Sequence, residues 1–167
     1  LRAPRGLWRE VLAGWTAYIA LVPLFIGTLL IVVMFSQIFS FEPKAHPLVS
    51  VFLEEGKSSL MLIYTIGIAT VLGPIVEEIF FRGFCYTIFR KRFGVKIALV
   101  LSASFFSFIH ANTFAFWPIF VLGLGLGYLY ELRKSLLGPV ILHVTHNILF
   151  IGYFFLMKVL IQDHGSF

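Results

Sequence analysis

Hydrophobic residues occur along this chain in long runs that are separated by short polar segments. The first run lies between Glu10 and Glu42, which contain no charged residue between them. A second run begins at Ser58, passes through Val76 and ends at the basic residues 90–92. Because about 20 apolar residues in a helix cross a bilayer, each run is long enough to span a membrane.

Two further helices are predicted between 97 and 130, a stretch without formal charge that is too long for one span. Asn112-Thr113 is the best candidate for the turn, which predicts helices near 95–111 and 114–132. A last apolar run at 135–157 predicts one more helix, and no strand-like alternation appears. The pattern therefore predicts an all-α integral membrane protein, a bundle of about five transmembrane helices.

One transmembrane domain is expected over residues 1–167. Within it, 1–57 would form the first helix and a polar connector, and about 58–157 would form the core that carries the motifs. The first apolar run is too long, and lacks the small-residue cleavage site, for a removable signal peptide. The sequence begins at Leu1 rather than at Met, which leaves open that it is part of a longer protein.

The composition excludes most soluble functions. Hydrophobic residues make up 59% of the chain and charged residues 13%, with a mean hydropathy of +0.95. Soluble domains carry about a quarter charged residues, so a soluble enzyme, a disordered tail and a nucleic-acid binder all fit poorly. With Cys85 as its one cysteine, the chain cannot form an internal disulfide. We expect the lipid bilayer, and no nucleic acid, as a partner.

The positions of the basic residues predict the orientation. Five spans place the basic segments at 2–9, 90–96 and 133–134 on the same side of the membrane. The mildly acidic connector at 42–57 then falls on the opposite side. Because cytoplasmic loops are enriched in Lys and Arg, the N-terminus is predicted to be cytoplasmic and the C-terminus to lie outside.

A few ionisable residues lie inside the apolar runs, where charges are costly and are functional candidates. Counting about 1.5 Å per helical residue from the nearest basic residue places Glu77, His110 and Asn147 about 20 Å deep and His143 about 14 Å deep. Residues from separate helices thus reach a similar level, which predicts a polar active-site cavity within the membrane. The full set is Glu77, Glu78, Arg82, His110, His143 and His146, with Asn147 as a polar companion.

Spacing within the helices separates two kinds of residue. Glu78 and Arg82 are four residues apart and can form an ion pair on one helix face. Glu77 is rotated by about 100° from its neighbour, so its carboxylate stays free. His143 and Asn147 are also four residues apart and project together. A carboxylate, imidazoles and an amide around one cavity can activate water and stabilise an oxyanion.

These residues form three ordered motifs: EExxxR from Glu77 to Arg82, FxxxH from Phe106 to His110, and HxxxN from His143 to Asn147. The ordered set resembles the CPBP family of CAAX proteases and bacteriocin-processing proteins, also called the abortive-infection family. The resemblance implies an intramembrane endopeptidase of the glutamate type, which hydrolyses peptide bonds of membrane-associated or lipidated substrates. It also implies a multi-pass protein of a prokaryotic plasma membrane, with a peptide or membrane protein as its partner.

The resemblance also implies roles for individual residues. Glu77 would be the general base with His110 assisting, and His143 and Asn147 would hold the oxyanion. Supporting roles would fall to three further residues, Glu78, Arg82 and His146. No cofactor is expected in this mechanism.

Three alternatives remain open at this stage. In a zinc-dependent version, Glu77, His110 and His143 would supply a carboxylate and two imidazoles as metal ligands. A non-catalytic immunity or scaffold protein would use the same cavity to bind a peptide or a membrane partner. A transporter or proton relay fits least well, because the chain shows no inverted repeat.

Overall fold

The computed structural model describes residues 6–40 and 59–164, and every regular element within these ranges is helical. Helix α1 covers Leu7–Ile38. After residue 59 the chain forms a succession of α- and π-helical segments and then two further α-helices. They are α2 (Ser59–Gly67), π1 (Ile68–Leu72), α3 (Gly73–Glu78), π2 (Ile79–Tyr86), α4 (Thr87–Ile109), α5 (Phe116–Arg133) and α6 (Leu137–His164). The all-α prediction is confirmed, and the predicted connector at 42–57 lies outside the described residues.

Residues 59–93 form one uninterrupted helical run, which we call the long rod. It continues through Gly73-Pro74, where the sequence predicts that the helix bends but does not end. The long rod ends at Gly94, whose φ of 78° and ψ of 176° are not helical. An added Cβ there would meet nothing within 4 Å, so the positive φ, and not a lack of space, requires glycine.

The Gly94 break corrects the predicted loop at 90–96. The helix continues through Arg90 and Arg92, and Gly94 alone leaves the helical conformation before α4 resumes. Clustered basic residues had indicated a loop because such clusters mark the ends of membrane spans. A single glycine with positive φ is enough to redirect the chain, so no extended loop is needed.

Three helical segments are long and apolar enough to cross a membrane: Leu7–Ile38, Leu60–Ile109 and Leu137–Met157. The second of them is 50 residues long and contains the Gly94 break. Many large apolar side chains on these segments are more than half exposed, among them Ile19 and Leu30. A lipid environment accounts for so much exposed apolar surface.

The helices pack around a core of buried apolar side chains. These are Phe81, Phe106, Leu122, Leu126, Leu129 and Leu142, contributed by the long rod and by α4, α5 and α6. Residues of α1, including Ala17 and Leu21, cover one side of the cluster. Helices α1 and α6 approach each other closely at Gly14. A Cβ atom at this position would lie only 2.7 Å from Ile141 Cγ2, so the contact requires glycine.

Ion pairs join the helix ends that carry the basic residues. Arg133 of α5 binds Glu10 of α1, with 2.6 Å between Nη2 and Oε1. Glu131 accepts a hydrogen bond of 2.8 Å from the Tyr86 hydroxyl and pairs with Arg90 at 2.9 Å. The start of α1, the end of α5 and the region around Arg90 therefore lie at one end of the bundle.

Glycines of α5 allow a close approach to α4. A Cβ on Gly123 would lie 3.0 Å from Ala103 Cα, and one on Gly127 would lie 2.9 Å from Leu99 Cδ2. The Gly123xxxGly127 spacing is the small-residue pattern of closely packed membrane helices. At Gly123 the contacted atom belongs to the backbone, so the neighbour cannot move aside as a flexible side chain would.

We expect Gly123→Ala to destabilise the fold by about 1–3 kcal/mol, because the added methyl group overpacks the contact with Ala103. Gly152→Ala is the matched control, since a Cβ at Gly152 meets nothing within 4 Å. Denaturant unfolding in detergent micelles measures both variants. Equal stability of the two would contradict the close α4–α5 contact.

Candidate functional site

The two neighbouring glutamates Glu77 and Glu78 lie at the end of α3, between two π-helical segments. A π-helix inserts a wider turn into an α-helix and often occurs at functional sites. Because π1 precedes the glutamates and π2 follows them, the backbone register changes on both sides of the pair. This part of the long rod faces α6, which carries the HxxxN motif.

Glu78 and Arg82 form the ion pair that their spacing predicts. The Nη1 of Arg82 lies 2.8 Å from Glu78 Oε1, and both side chains are fully buried. Arg82 also donates through Nη2 to the Gly123 carbonyl oxygen at 3.1 Å. Its guanidinium lies 4.7 Å from the centre of the Phe106 ring. The pair thereby links the long rod to α4 and α5.

The His143 imidazole lies between the two glutamates. Its Nδ1 is 2.9 Å from Glu78 Oε1, and its Nε2 is 3.7 Å from Glu77 Oε2. A Glu78 carboxylate paired with Arg82 can only accept hydrogen bonds, so Nδ1 carries the proton that is donated to it. This hydrogen bond fixes the ring and directs Nε2 toward Glu77.

Glu77 differs from Glu78 in its surroundings. One third of its side chain is exposed, whereas Glu78 is fully buried. Among the described residues, nothing donates a hydrogen bond to the buried Oε2 atom of Glu77, and the 3.7 Å to His143 exceeds hydrogen-bond length. The two neighbouring carboxylates therefore have different partners, as the rotation of about 100° between them predicts. Glu78 is bound by Arg82, and Glu77 is free.

His110 lies at the C-terminal end of α4, next to Phe106. Its Nδ1 donates to the Phe106 carbonyl oxygen at 2.7 Å, which leaves Nε2 with a free lone pair in the neutral ring. The Phe106 ring contacts both His110 and His143, with centroid distances of 4.8 Å and 5.6 Å. The structure thus places both histidines against one aromatic ring, without a hydrogen bond between His110 and Glu77.

Asn147 contacts the long rod one turn of α6 beyond His143. Its Nδ2 donates to the Ala69 carbonyl oxygen of π1 at 2.9 Å. His143 meets the end of α3 and Asn147 meets π1, so this i,i+4 pair spans two parts of the long rod. The backbone partner of Asn147 was missed by sequence reasoning, because a backbone acceptor leaves no signature in residue type.

His146 faces α1 and not the glutamates. Its ring lies 5.1 Å from Phe25 and 6.0 Å from Tyr18, both on α1, and 6.4 Å from Phe150. The contacts of His146 attach the first helix to α6, whereas those of His143 reach the glutamates.

Two cavities of the described ranges lie away from the glutamates and His143. A mostly apolar cavity of about 660 Å³ lies between the second half of α1 and the segment from Thr113 in the turn to Trp117 in the first turn of α5. A smaller cavity of about 410 Å³ is lined by residues such as Ser107 and Asn112. The polar active-site cavity stays a prediction.

The zinc alternative requires three ligands close together. Within residues 6–40 and 59–164, no three His, Cys, Asp or Glu side chains are grouped closely enough to hold a metal ion. Glu77, His110 and His143 as placed therefore do not fit the expected ligand set. Metal dependence stays a prediction.

A comparison with known families gives one match. The family model described as "Type II CAAX prenyl endopeptidase Rce1-like" matches residues 59–149. No curated protein and no solved structure matches the chain. The matched region is more than half of the chain and contains all three motifs from Glu77 to Asn147. The chain therefore belongs to the Rce1-like family of type II CAAX prenyl endopeptidases.

Proposed function

We propose that the chain is an intramembrane endopeptidase of the glutamate type, in which Glu77 activates water for peptide hydrolysis. The observation that carries the proposal is the position of His143. Its imidazole is held by Glu78 at 2.9 Å and directs Nε2 toward the unbonded Glu77 carboxylate. A free base and a fixed ring nitrogen side by side are what the hydrolytic reaction needs.

Glu77 acts first, as the general base. Its Oε2 and the His143 Nε2 are 3.7 Å apart, a separation that one water molecule could bridge at about 2.8 Å from each atom once the substrate complex opens the buried Oε2 atom to water. Glu77 removes a proton from this water while the water oxygen attacks the carbonyl carbon of the substrate. The electron pair of the carbonyl bond moves to its oxygen, which becomes the oxyanion.

His143 and Asn147 stabilise the oxyanion in this proposal. For this step His143 carries a proton on Nε2 as well as on Nδ1, and it donates through Nε2 to the oxyanion while Nδ1 stays bound to Glu78. The Asn147 amide has two N–H groups, of which one binds Ala69 and the other is available. Collapse of the intermediate breaks the C–N bond, and the protonated Glu77 returns its proton to the leaving amine.

His110 would assist by orienting the water. Its Nδ1 is bound to the Phe106 carbonyl, so its Nε2 can accept the second hydrogen of the water molecule. His110 would approach the water at Glu77 in the substrate complex, where catalytic hydrogen bonds commonly tighten.

The membrane arrangement completes the proposal. We place the chain as a single domain with five spans in a prokaryotic plasma membrane, with the basic end of the bundle and the N-terminus in the cytoplasm. Substrates would be membrane-associated or lipidated peptides, and the family description favours prenylated ones.

His143→Gln tests the proposed oxyanion donor. The glutamine amide can still donate to Glu78 but places no donor near Glu77, so kcat should fall by about 10²–10³-fold. The assay uses the purified protein in liposomes and a fluorogenic peptide that ends in a prenylated cysteine motif. Thr145→Val is the control on the same helix, because within residues 6–40 and 59–164 the Thr145 hydroxyl binds only the Ile141 carbonyl.

Cleavage at the wild-type rate by His143→Gln would contradict the role given to His143. Cleavage by neither the wild type nor the control would favour the scaffold alternative. In that case the wild type and the variant should bind the same membrane partner equally well.

A further inference from the structure

The Ala69 carbonyl in π1 is left without a backbone donor by the change of helical register. In an α-helix its donor would be the N–H of Gly73, four residues later. That N–H instead donates to Ile68, five residues earlier, as a π-helix requires. The register therefore moves the donor of Ala69 to residue 74.

Residue 74 is a proline, which has no N–H. Pro74 is buried and belongs to the same uninterrupted helical run as Ala69. Neither helical register thus provides a donor for the Ala69 oxygen. An unsatisfied carbonyl inside a membrane is costly, because no water is present there to replace the missing donor.

The side chain of Asn147 fills this vacancy. Its Nδ2 donates to the Ala69 oxygen at 2.9 Å, across a gap of 78 residues in sequence. The primary amide is planar, so a hydrogen bond from one of its N–H groups fixes the direction of the other. The carbonyl that Pro74 leaves open therefore orients Asn147.

We propose that Pro74 is a positioning residue that aims the second N–H of Asn147 at the oxyanion. This inference rests on the proposed function, in which Asn147 stabilises that charge. It assigns to the Gly73-Pro74 pair a role in catalysis beyond the bend that the sequence indicates. Pro74 acts only through the Ala69 carbonyl and touches no reacting atom.

The test adds or withholds one N–H at position 74. In Pro74→Ala, the new N–H can bind Ala69 and compete with Asn147. Replacing Pro74 by lactic acid, through nonsense suppression, gives the same methyl side chain with an ester oxygen in place of the N–H. We expect the alanine variant to lose about 10–100-fold in kcat with KM unchanged, because a misplaced catalytic group costs up to that much. The lactic acid variant should stay close to the wild type.

Pro139→Ala controls for the loss of a buried proline ring. Pro139 is buried like Pro74, but it lies in the first turn of α6, where backbone N–H groups have no carbonyl partner within the helix. Its replacement should leave kcat unchanged.

Repeating Pro74→Ala in an Asn147→Ala background measures the energetic coupling between residues 74 and 147. If Pro74 acts through Asn147, the alanine at 74 should cause no further loss there. Equal behaviour of the alanine and lactic acid variants, whether active, inactive or unfolded, would overturn the inference. So would an undiminished effect of Pro74→Ala in the Asn147→Ala background. If Asn147→Ala itself cleaves at the wild-type rate, the proposed oxyanion role fails first, and with it this inference.

Discussion

Glu77→Gln is expected to lower the rate of peptide hydrolysis by about 10²–10⁴-fold, the usual contribution of a general base. Glutamine has the shape of glutamate and keeps a carbonyl oxygen, but it cannot take a proton from water. Since the Oε2 atom of Glu77 accepts no hydrogen bond from the described residues, the substitution should leave the fold intact. The loss should appear in kcat and in kcat/KM alike, because the base acts in the transition state. Cleavage of the reporter peptide in liposomes measures it.

Glu131→Gln is the matched control for Glu77→Gln. Glu131 lies in the ion-pair network with Arg90 at the basic end of the bundle, so the same substitution there should change the rate only slightly. The inactive Glu77→Gln variant should also retain bound substrate, which mass spectrometry of the co-purifying peptides would identify. Wild-type cleavage by Glu77→Gln would refute the glutamate mechanism.

Arg82→Met is expected to destabilise the protein by about 3–5 kcal/mol, the typical effect of removing one partner from a buried ion pair. The substitution leaves the Glu78 carboxylate buried without its guanidinium, and it removes the donor to the Gly123 carbonyl. Because Glu78 also holds His143, activity should fall in the fraction that still folds. Unfolding by denaturant in detergent micelles gives the free energy.

Two further variants test whether the buried, unpaired charge of Glu78 causes the loss of stability in Arg82→Met. The double variant Glu78→Gln, Arg82→Met removes both charges and should recover part of the lost stability. Arg90→Met removes an arginine whose side chain is 44% exposed, so it should change the stability far less than Arg82→Met does. An Arg82→Met variant as stable as Arg90→Met would contradict the structural role of the pair.

Much of the helical layout follows from the sequence, because lipid requires long apolar helices and confines charges to their ends. The turn at Asn112-Thr113 lies between the observed α4 and α5. The Glu78–Arg82 pair also follows, since residues four apart share a helix face. These features depend on local spacing, which a sequence displays directly. The number of spans and the roles of the site residues stay predictions.

The remaining features depend on groups that are distant in sequence or invisible in residue type. No local sequence pattern distinguishes the π-helical segments π1 and π2 from α-helix. The hydrogen bond from Asn147 to the Ala69 carbonyl depends on π1, so it could not be predicted from the sequence. Glu10 pairs with Arg133 across 123 residues, although both look like ordinary charges at helix ends. The orientation of His146 toward α1 depends on the same long-range packing.

The Glu10–Arg133 ion pair also sets an order for biogenesis. Helix α1 is synthesised before α5, and the partner of its buried carboxylate follows 123 residues later. At about 5–20 residues per second, the ribosome needs about 6–25 s to produce that stretch. Until then Glu10 lacks Arg133, so α1 cannot make this contact with α5 while the long rod and α4 are synthesised. The ion pair that joins α1 to α5 therefore forms late in the synthesis of the chain.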